Sequence, residues 1–336
     1  SEMCIRDRKY TLKRIVLIFF TMFIILTLAY ILIQLTTSFE ERVKFYQMSD
    51  PKISYEEAVI YGKKAGWDDP ILIKYFNWIK GVFTGNWGVS VVYEVGQNPW
   101  TILTRFIPFT ISINIWPLLI ATPLGFLFGI IAALRKNKPT DYIISLLVMI
   151  CISVPSFVFV TLLMINASNM GLPIQFRAAD QANWKDYIIP VIALSVGPIA
   201  SLTRITRAEL TEVLTSEYLL LARTKGLNRF QATIRHALRN SLLPLVPSII
   251  GSFVGIMFGS LVIEQIYGIK GVGGILLTAI SETQPDHDLA MAALSFYTII
   301  DLVTILIVDL AYGIVDPRIS CLLYTSPSPR DMRRSR

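Results

Sequence analysis

Few side chains in this 336-residue sequence could do covalent chemistry, and none of them is grouped for it. The two histidines, His236 and His287, are widely separated, and the three cysteines, Cys4, Cys151 and Cys321, form no C-x-x-C pair. Neither a zinc site nor a disulfide framework follows from such a set. No H-E-x-x-H run and no G-x-S-x-G elbow occurs, so a metalloprotease or a serine hydrolase would lack its constellation. The residues that stand out are acids set in apolar sequence. Asp301 and Asp309 fall inside the run from about Leu289 to Val315, and Glu264 closes the run before it. An ionisable group in a membrane span is costly, and it marks either a pathway or a paired structural charge. Asp309 is read as a structural partner for an arginine of the neighbouring loop, and Asp316 as a structural charge just beyond it. Asp301 sits deeper; structural pairing is the more economical reading for it too, and a pathway or gating group, protonated or facing water, is the other. Glu264 is read as lining a mouth or touching an external partner.

The elements that would position these groups are membrane helices. Of the residues 53% are hydrophobic and 16% are charged, against about a quarter charged in soluble domains, and mean hydropathy is +0.55. A helix needs about 20 apolar residues to cross the hydrocarbon core. Six runs qualify: Ile15 to Ile33, Phe106 to Leu134, Tyr142 to beyond Met164, Tyr187 to Thr203, Asn240 to Ile263, and about Leu289 to Val315. The second carries Pro108, Pro117 and Pro123 and is expected to kink or to begin outside the bilayer; the third carries Pro155 near its middle. In the fifth, Gly251, Ser252, Gly255, Gly259 and Ser260 are small residues of the kind that let helices approach closely in lipid.

The sequence therefore predicts an all-α polytopic membrane protein with six transmembrane helices. Net charge is +7, and its sources lie between the apolar runs, as lipid topology requires and nucleic-acid binding does not. Lys9, Lys13 and Arg14, then Arg135, Lys136 and Lys138, then Arg204 through Arg239 fall on one side; Arg177, Lys185 and Lys270 fall on the other. Both termini are predicted to be cytoplasmic. Residues 9–34 form the N-terminal segment and first span, 35–100 an extracytoplasmic subdomain, and 101–318 the transmembrane domain. In the subdomain, Ser54-Tyr55-Glu56-Glu57 reads as a capping box. Asp69-Pro70 reads as the start of a second helix, with Pro70 at its first position and Gly85 as its stop. Residues 1–8 and 321–336 match nothing beside them and are expected to be non-native sequence; a natural disordered basic tail is the other reading of the latter.

The connection between the fourth and fifth spans, about residues 208–239, is the most patterned loop. Ser216-Glu217-Tyr218-Leu219-Leu220-Leu221-Ala222-Arg223-Thr224-Lys225-Gly226 reads as a short helix with a glycine stop. Asn228 can cap a second helix leading into the next span. A helix fixed between two spans can act as a lever for a cytoplasmic motor. From spacing alone, an amphipathic loop whose arginines only set orientation is the more economical reading. A DNA-reading helix-turn-helix fails on placement, since both ends are tethered to the bilayer.

This stretch, with Arg235-His236-Ala237-Leu238-Arg239-Asn240 and Leu242-Leu243-Pro244, resembles the EAA loop of binding-protein-dependent ABC importers, in the form found in the oligopeptide/dipeptide permease family. The EAA triplet itself is not kept; Leu221-Ala222-Arg223 lies in that region. The resemblance extends over about residues 9–320. It includes Thr101 through Thr110, Ser153-Val154-Pro155-Ser156-Phe157, Val262 through Gly273 with Lys270 where proline is usual, and Asp309, Tyr312 and Asp316-Pro317-Arg318. It implies a coupling helix with Glu217, Tyr218, Ala222, Arg223, Lys225 and Gly226 at the ATPase contact. It implies as partners a related second permease subunit, two cytoplasmic ATPase subunits that hold ATP and magnesium, and an external solute-binding protein. This chain would bind no cofactor and catalyse nothing. It would sit in a bacterial or archaeal plasma membrane and pass peptides, with nickel or another small solute as the alternative. An ion-coupled secondary transporter is the rival class, and no internal repeat supports it.

Overall fold

A computed structural model of the chain describes residues 2–177, 182–217, 219, 224, 231, 237–238, 241, 245–281 and 285–315. Among these residues there is no strand. The helices are α1 (Glu2–Leu35), α2 (Phe39–Ser49), α3 (Tyr55–Lys64), α4 (Ile71–Thr84), α5 (Pro99–Leu134), α6 (Pro139–Ser153), α7 (Ser156–Asn166), α8 (Trp184–Leu214), α9 (Leu245–Tyr267), α10 (Val272–Ala279) and α11 (His287–Val315). Five are long and apolar enough to cross a membrane: Leu12–Leu35, Pro99–Leu134, Trp184–Leu214, Leu245–Tyr267 and His287–Ala311. The all-α polytopic architecture stands.

The third apolar run departs from a simple span. It is two helices, α6 and α7, meeting at 94°; counted as one broken span, they bring the total to six. Pro155 is the cause. It has no N–H to continue the ladder, and it drives the residue before it out of helical geometry; Val154 sits at φ −96°, ψ 119°. The prolines of the second run act differently. Pro108, Pro117 and Pro123 lie inside one continuous helix, whose 36 residues extend about 54 Å, longer than the roughly 30 Å core.

The chain divides into two compact units. The first comprises Ser1–Asn114, Val160–Val191 and Met257–Leu302. Within it, α2, α3 and the segment before α5 enclose a small core of Val43, Tyr46, Ala58, Trp67 and Val91. Both short helices open with capping boxes. Ser54 and Glu57 exchange bonds as the sequence predicts, and Ser38 and Glu41 do the same at α2. The donated bonds hold both carboxyls below the usual carboxylate range. Asp69 does not cap α4; Pro70 itself occupies the cap position with no side-chain bond, and Gly85 ends the helix at φ +76°.

The second unit comprises Ile115–Phe159, Ile192–Ile256 and Val303–Arg336. Its tight helix packing differs from expectation. A Cβ on Gly251 or Gly255 of α9 would meet nothing within 4 Å. Close approach occurs instead between α5 and α8, where Gly125 and Gly129 form a G-x-x-x-G face. A Cβ on Gly125 would stand 2.6 Å from Leu202 Cβ, and one on Gly129 would stand 2.5 Å from Thr206 Cβ and 2.9 Å from the Thr203 carbonyl oxygen. Gly129→Leu should therefore force these helices apart and destabilise the protein by about 1–3 kcal/mol, read as a lower thermal midpoint in detergent. Gly251→Ala in the isolated chain should leave that midpoint unchanged.

Candidate functional site

The loop end of the second unit carries the candidate coupling apparatus. Helix α8 stops at Leu214, and Thr215 and Ser216 turn the chain by hydrogen bonds back to Glu212 and Val213. Glu217 follows, exposed. Tyr218, Ala222, Arg223, Lys225 and Gly226 lie outside the described residues, as does Asp316. Leu219, near the start of the segment, and Ala237, beyond its end, are both buried in one cluster with Ala133 of α5 and Leu210 of α8. Ile130, Val213, Leu214 and Leu238 complete the packing. Both feet of the loop thus rest on the ends of α5 and α8.

An ion pair braces α8 against α6. Asp141, buried in the first turn of α6, takes two bonds from Arg207 of α8, Nε to Oδ1 at 2.6 Å and an Nη to Oδ2 at 2.8 Å. The Asn137 N–H donates to it as well. This two-pronged geometry fixes orientation more strictly than a lysine would. Arg207 was legible only as a basic residue of the loop, and Asp141 carried no sequence signal beyond its place at a helix start.

In the first unit, two segments quoted for the family resemblance come together. Thr110 Oγ1 accepts from the Val272 N–H at 2.8 Å. The Glu264 carboxylate accepts from Gly273 N–H at 2.7 Å and Gly274 N–H at 3.1 Å, and from Ser260 Oγ at 3.3 Å. Asn114 Nδ2 donates to Ser260 Oγ. Glu264, read from sequence as a mouth or gating group, is fully buried and caps the N-terminus of α10, where a carboxylate meets free N–H groups and the positive end of the helix. Glu264→Ala should unravel that first turn at about 1–3 kcal/mol. Glu264→Gln keeps an acceptor and should lose less, with the thermal midpoint as the measure.

The other acids separate. Asp301 is half-buried in α11 and has no hydrogen bond or ion pair among the described residues. Asp309 is half-buried further along the same helix; the loop arginines Arg223, Arg229, Arg235 and Arg239 expected beside it lie outside the described residues. The sequence reading missed three further carboxylates. Asp186 is buried at the start of α8 and takes bonds at 2.9 and 2.8 Å from the Arg177 guanidinium, which raises the Arg177 pKa. Asp286 receives Ser90 Oγ at 2.6 Å and the N–H groups of Val91, Val92 and Tyr93 on one oxygen, and the Leu289 N–H on the other. Beside it Asp288 takes the Val89 N–H and faces Arg42 at 3.6 Å; Arg42 also lies over the Trp67 ring at 4.5 Å. No group of three or more metal-ligating side chains occurs among the described residues.

Residues 125–320 match the family described as binding-protein-dependent transport system inner membrane component. The chain belongs to this family. It is 36% identical over 312 residues to the dipeptide transport system permease protein of Lactococcus lactis subsp. cremoris strain MG1363, covering 93% of this chain and 99% of that protein. It is 33% identical over 257 residues to the oligopeptide transport system permease protein of Escherichia coli K12, covering 75% of this chain and 81% of that one. Among solved structures, it resembles a chain of the MetNI methionine ABC transporter in an inward-facing conformation, with a TM-score of 0.55 at 16% identity, covering 65% of this chain and 97% of that chain. It also resembles a chain of an amino acid ABC transporter crystallised with histidines, with a TM-score of 0.52 at 15% identity, covering 62% and 92%. At that identity the likeness is one of fold. This inner membrane component is a permease of an ABC transport system, and its apolar helices are its membrane spans. The resemblance read from residues 217–244 and their flanks named the right family.

Proposed function

We propose that this chain is one half of the translocation pore of an ATP-driven importer for peptides, and that residues 217–226 are the helix through which cytoplasmic ATPases move it. The observation that carries the coupling role is the shared footing of Leu219 and Ala237 on α5 and α8. A force on the segment between them enters two spans at once; those spans are joined by the glycine face, and α8 is tied in turn to α6 by Arg207 with Asp141. A loop serving only to set orientation needs no such footing. Peptides as the solute rest on the dipeptide and oligopeptide permeases that this chain matches over most of its length.

In this reading both termini are cytoplasmic. ATP and magnesium sit on two partner ATPase subunits, a related second permease completes the pore, and an external solute-binding protein delivers the peptide to the subdomain side. Glu217, Tyr218, Ala222, Arg223, Lys225 and Gly226 form the contact with the motor. ATP shifts the pore only by binding its two states with different affinity, and the coupling segment is where that difference becomes motion. Asp301 is the candidate pathway acid, since it alone of the acids of α11 has no partner among the described residues.

The test is uptake into proteoliposomes with and without the ATPase subunits, together with crosslinking from Ala222→Cys. The expected result is ATP-dependent uptake and a crosslink to an ATPase. Uptake that persists without those subunits, or labelling of Ala222→Cys from the external side, would sink the proposal. Asp301→Asn should alter transport; unchanged uptake and selectivity would remove that residue from the pathway.

A further inference from the structure

Helix α4 stands apart from its neighbours in having no buried residue. It is 14 residues long, about 21 Å, too short to cross a core of about 30 Å. Its side chains divide into three faces. Tyr75 and Trp78 turn toward α1 and α11, packing with Leu26, Tyr30 and Met291, and Met22, Ile33 and Leu294 fill in around them. Tyr75 shares a 2.6 Å hydrogen bond with Thr27, and the Trp78 and Tyr30 rings lie 4.9 Å apart. The polar face holds Lys74, Asn77, Lys80 and Thr84. The third face is a stripe of Leu72, Phe76, Ile79 and Phe83, spaced four, three and four apart so that they share one side of the helix. Three of them stand open, at 68%, 66% and 85% exposure for Leu72, Phe76 and Phe83.

The packing partners set the depth of this stripe. Leu26 and Tyr30 belong to the membrane span of α1 and lie about 14 and about 8 Å short of its C-terminal end at Leu35, at 1.5 Å per residue. Met291 and Leu294 lie in the first turns of the span of α11. A helix resting on them occupies the outer part of the apolar layer and cannot stand clear of it. The open surface of α1, including Leu28 and Leu32, is apolar surface of a helix long enough to span the membrane. Short length, a polar face and an aromatic-rich apolar face are the properties of helices that lie in the plane of a bilayer interface.

We propose that α4 is a membrane-embedded interfacial helix, with Leu72, Phe76 and Phe83 seated at the headgroup–acyl boundary and Asn77 and Lys80 turned to water. The segment between the first two spans is then a structure half-sunk in the lipid, and α4 is its float. The ligand is the bilayer itself. A solute-binding protein or a second permease covering the same stripe would keep it dry by protein contact, and the experiment separates these cases.

Nitroxide labels are placed at Phe76→Cys, Phe83→Cys, Asn77→Cys and Lys80→Cys, and at Leu28→Cys as a span control, in a chain whose native cysteines are replaced by serine. The assembled transporter is reconstituted in vesicles of phosphatidylethanolamine and phosphatidylglycerol. Collision with dissolved oxygen is compared with collision with a water-soluble nickel chelate. The oxygen-to-nickel ratio should be several-fold higher at positions 76 and 83 than at 77 and 80, and should approach that at 28. Free access of the nickel chelate to 76 and 83 would overturn the proposal by placing the stripe in water. Loss of access to both reagents there would overturn it in favour of a protein cover. Position 83 is almost wholly open, so its label leaves the fold intact, and ATP-dependent uptake by the labelled transporter checks this.

Discussion

Asp286→Ala should sharply lower the folded yield of the protein. One carboxylate oxygen gathers Ser90 Oγ and the N–H groups of Val91, Val92 and Tyr93, while the other caps α11 through Leu289. Bonds to a charged acceptor contribute about 1.5–3 kcal/mol each, and every buried donor left without a partner adds about 1–3 kcal/mol. Even with strong non-additivity, a loss of at least about 3 kcal/mol follows, enough to deplete a marginally stable native state. The measurement is the thermal midpoint of the purified transporter, with limited proteolysis between residues 84 and 99 as the local readout. Asp286→Asn, which keeps one acceptor and loses the charge, should fall between wild type and alanine. Equal midpoints for alanine and wild type would mean that the segment before α5 holds its conformation without this anchor.

The second large effect is expected at Asp141 and Arg207. Asp141 is buried and Arg207 is about a third exposed, so removing either leaves the other with a desolvated, uncompensated charge or a severed two-pronged bond. Truncating one member of a buried pair costs about 3–5 kcal/mol, whereas replacing both by apolar residues of similar size is often neutral. Since Arg207 keeps some contact with water and Asp141 does not, Asp141→Leu should cost less than Arg207→Met, and the double variant should be more stable than Arg207→Met alone. A double-mutant cycle on the thermal midpoint checks this. Additive losses would show that the two groups act independently. A separate readout bears on function: if the footing of the coupling segment depends on this brace, the single variants should lose ATP-dependent uptake beyond what their lowered stability explains.

The family and the order of its helices were legible in the sequence because both are written in runs. Apolar stretches of span length, arginines sorted to one side and the stretch from Glu217 to Pro244 are local patterns. The carboxylates that hold the fold were not legible. Asp141, Asp186 and Asp286 look like ordinary polar residues at helix starts or in loops, and only the fold brings Arg207, Arg177 or the backbone of residues 90–93 to them. Glu264 shows the converse. An acid at the end of a span suggests a mouth, yet its neighbours supply N–H groups that make it a cap. The glycines of α9 and α5 have nearly the same spacing, but Gly125 and Gly129 face a partner helix within the chain and Gly251 and Gly255 do not. Spacing reveals which face is small, and the partner's position decides whether smallness is used. The elbow at Pro155 was half legible: the residue was plain, but whether neighbours would restore the helix, as they do around Pro108, Pro117 and Pro123, depends on packing.

That elbow carries a consequence for what must surround it. Helix α6 starts just after Lys138 and runs 15 residues, about 22 Å, so the ladder breaks within the thickness of the hydrocarbon core. A carbonyl released there finds no donor among acyl chains. Ile152, Ser153, Pro155 and Phe157 are nonetheless open in the single chain. Fatty tails are therefore the wrong neighbour for this corner, and in the assembled importer it should be wetted by the solute channel or sealed by another polypeptide.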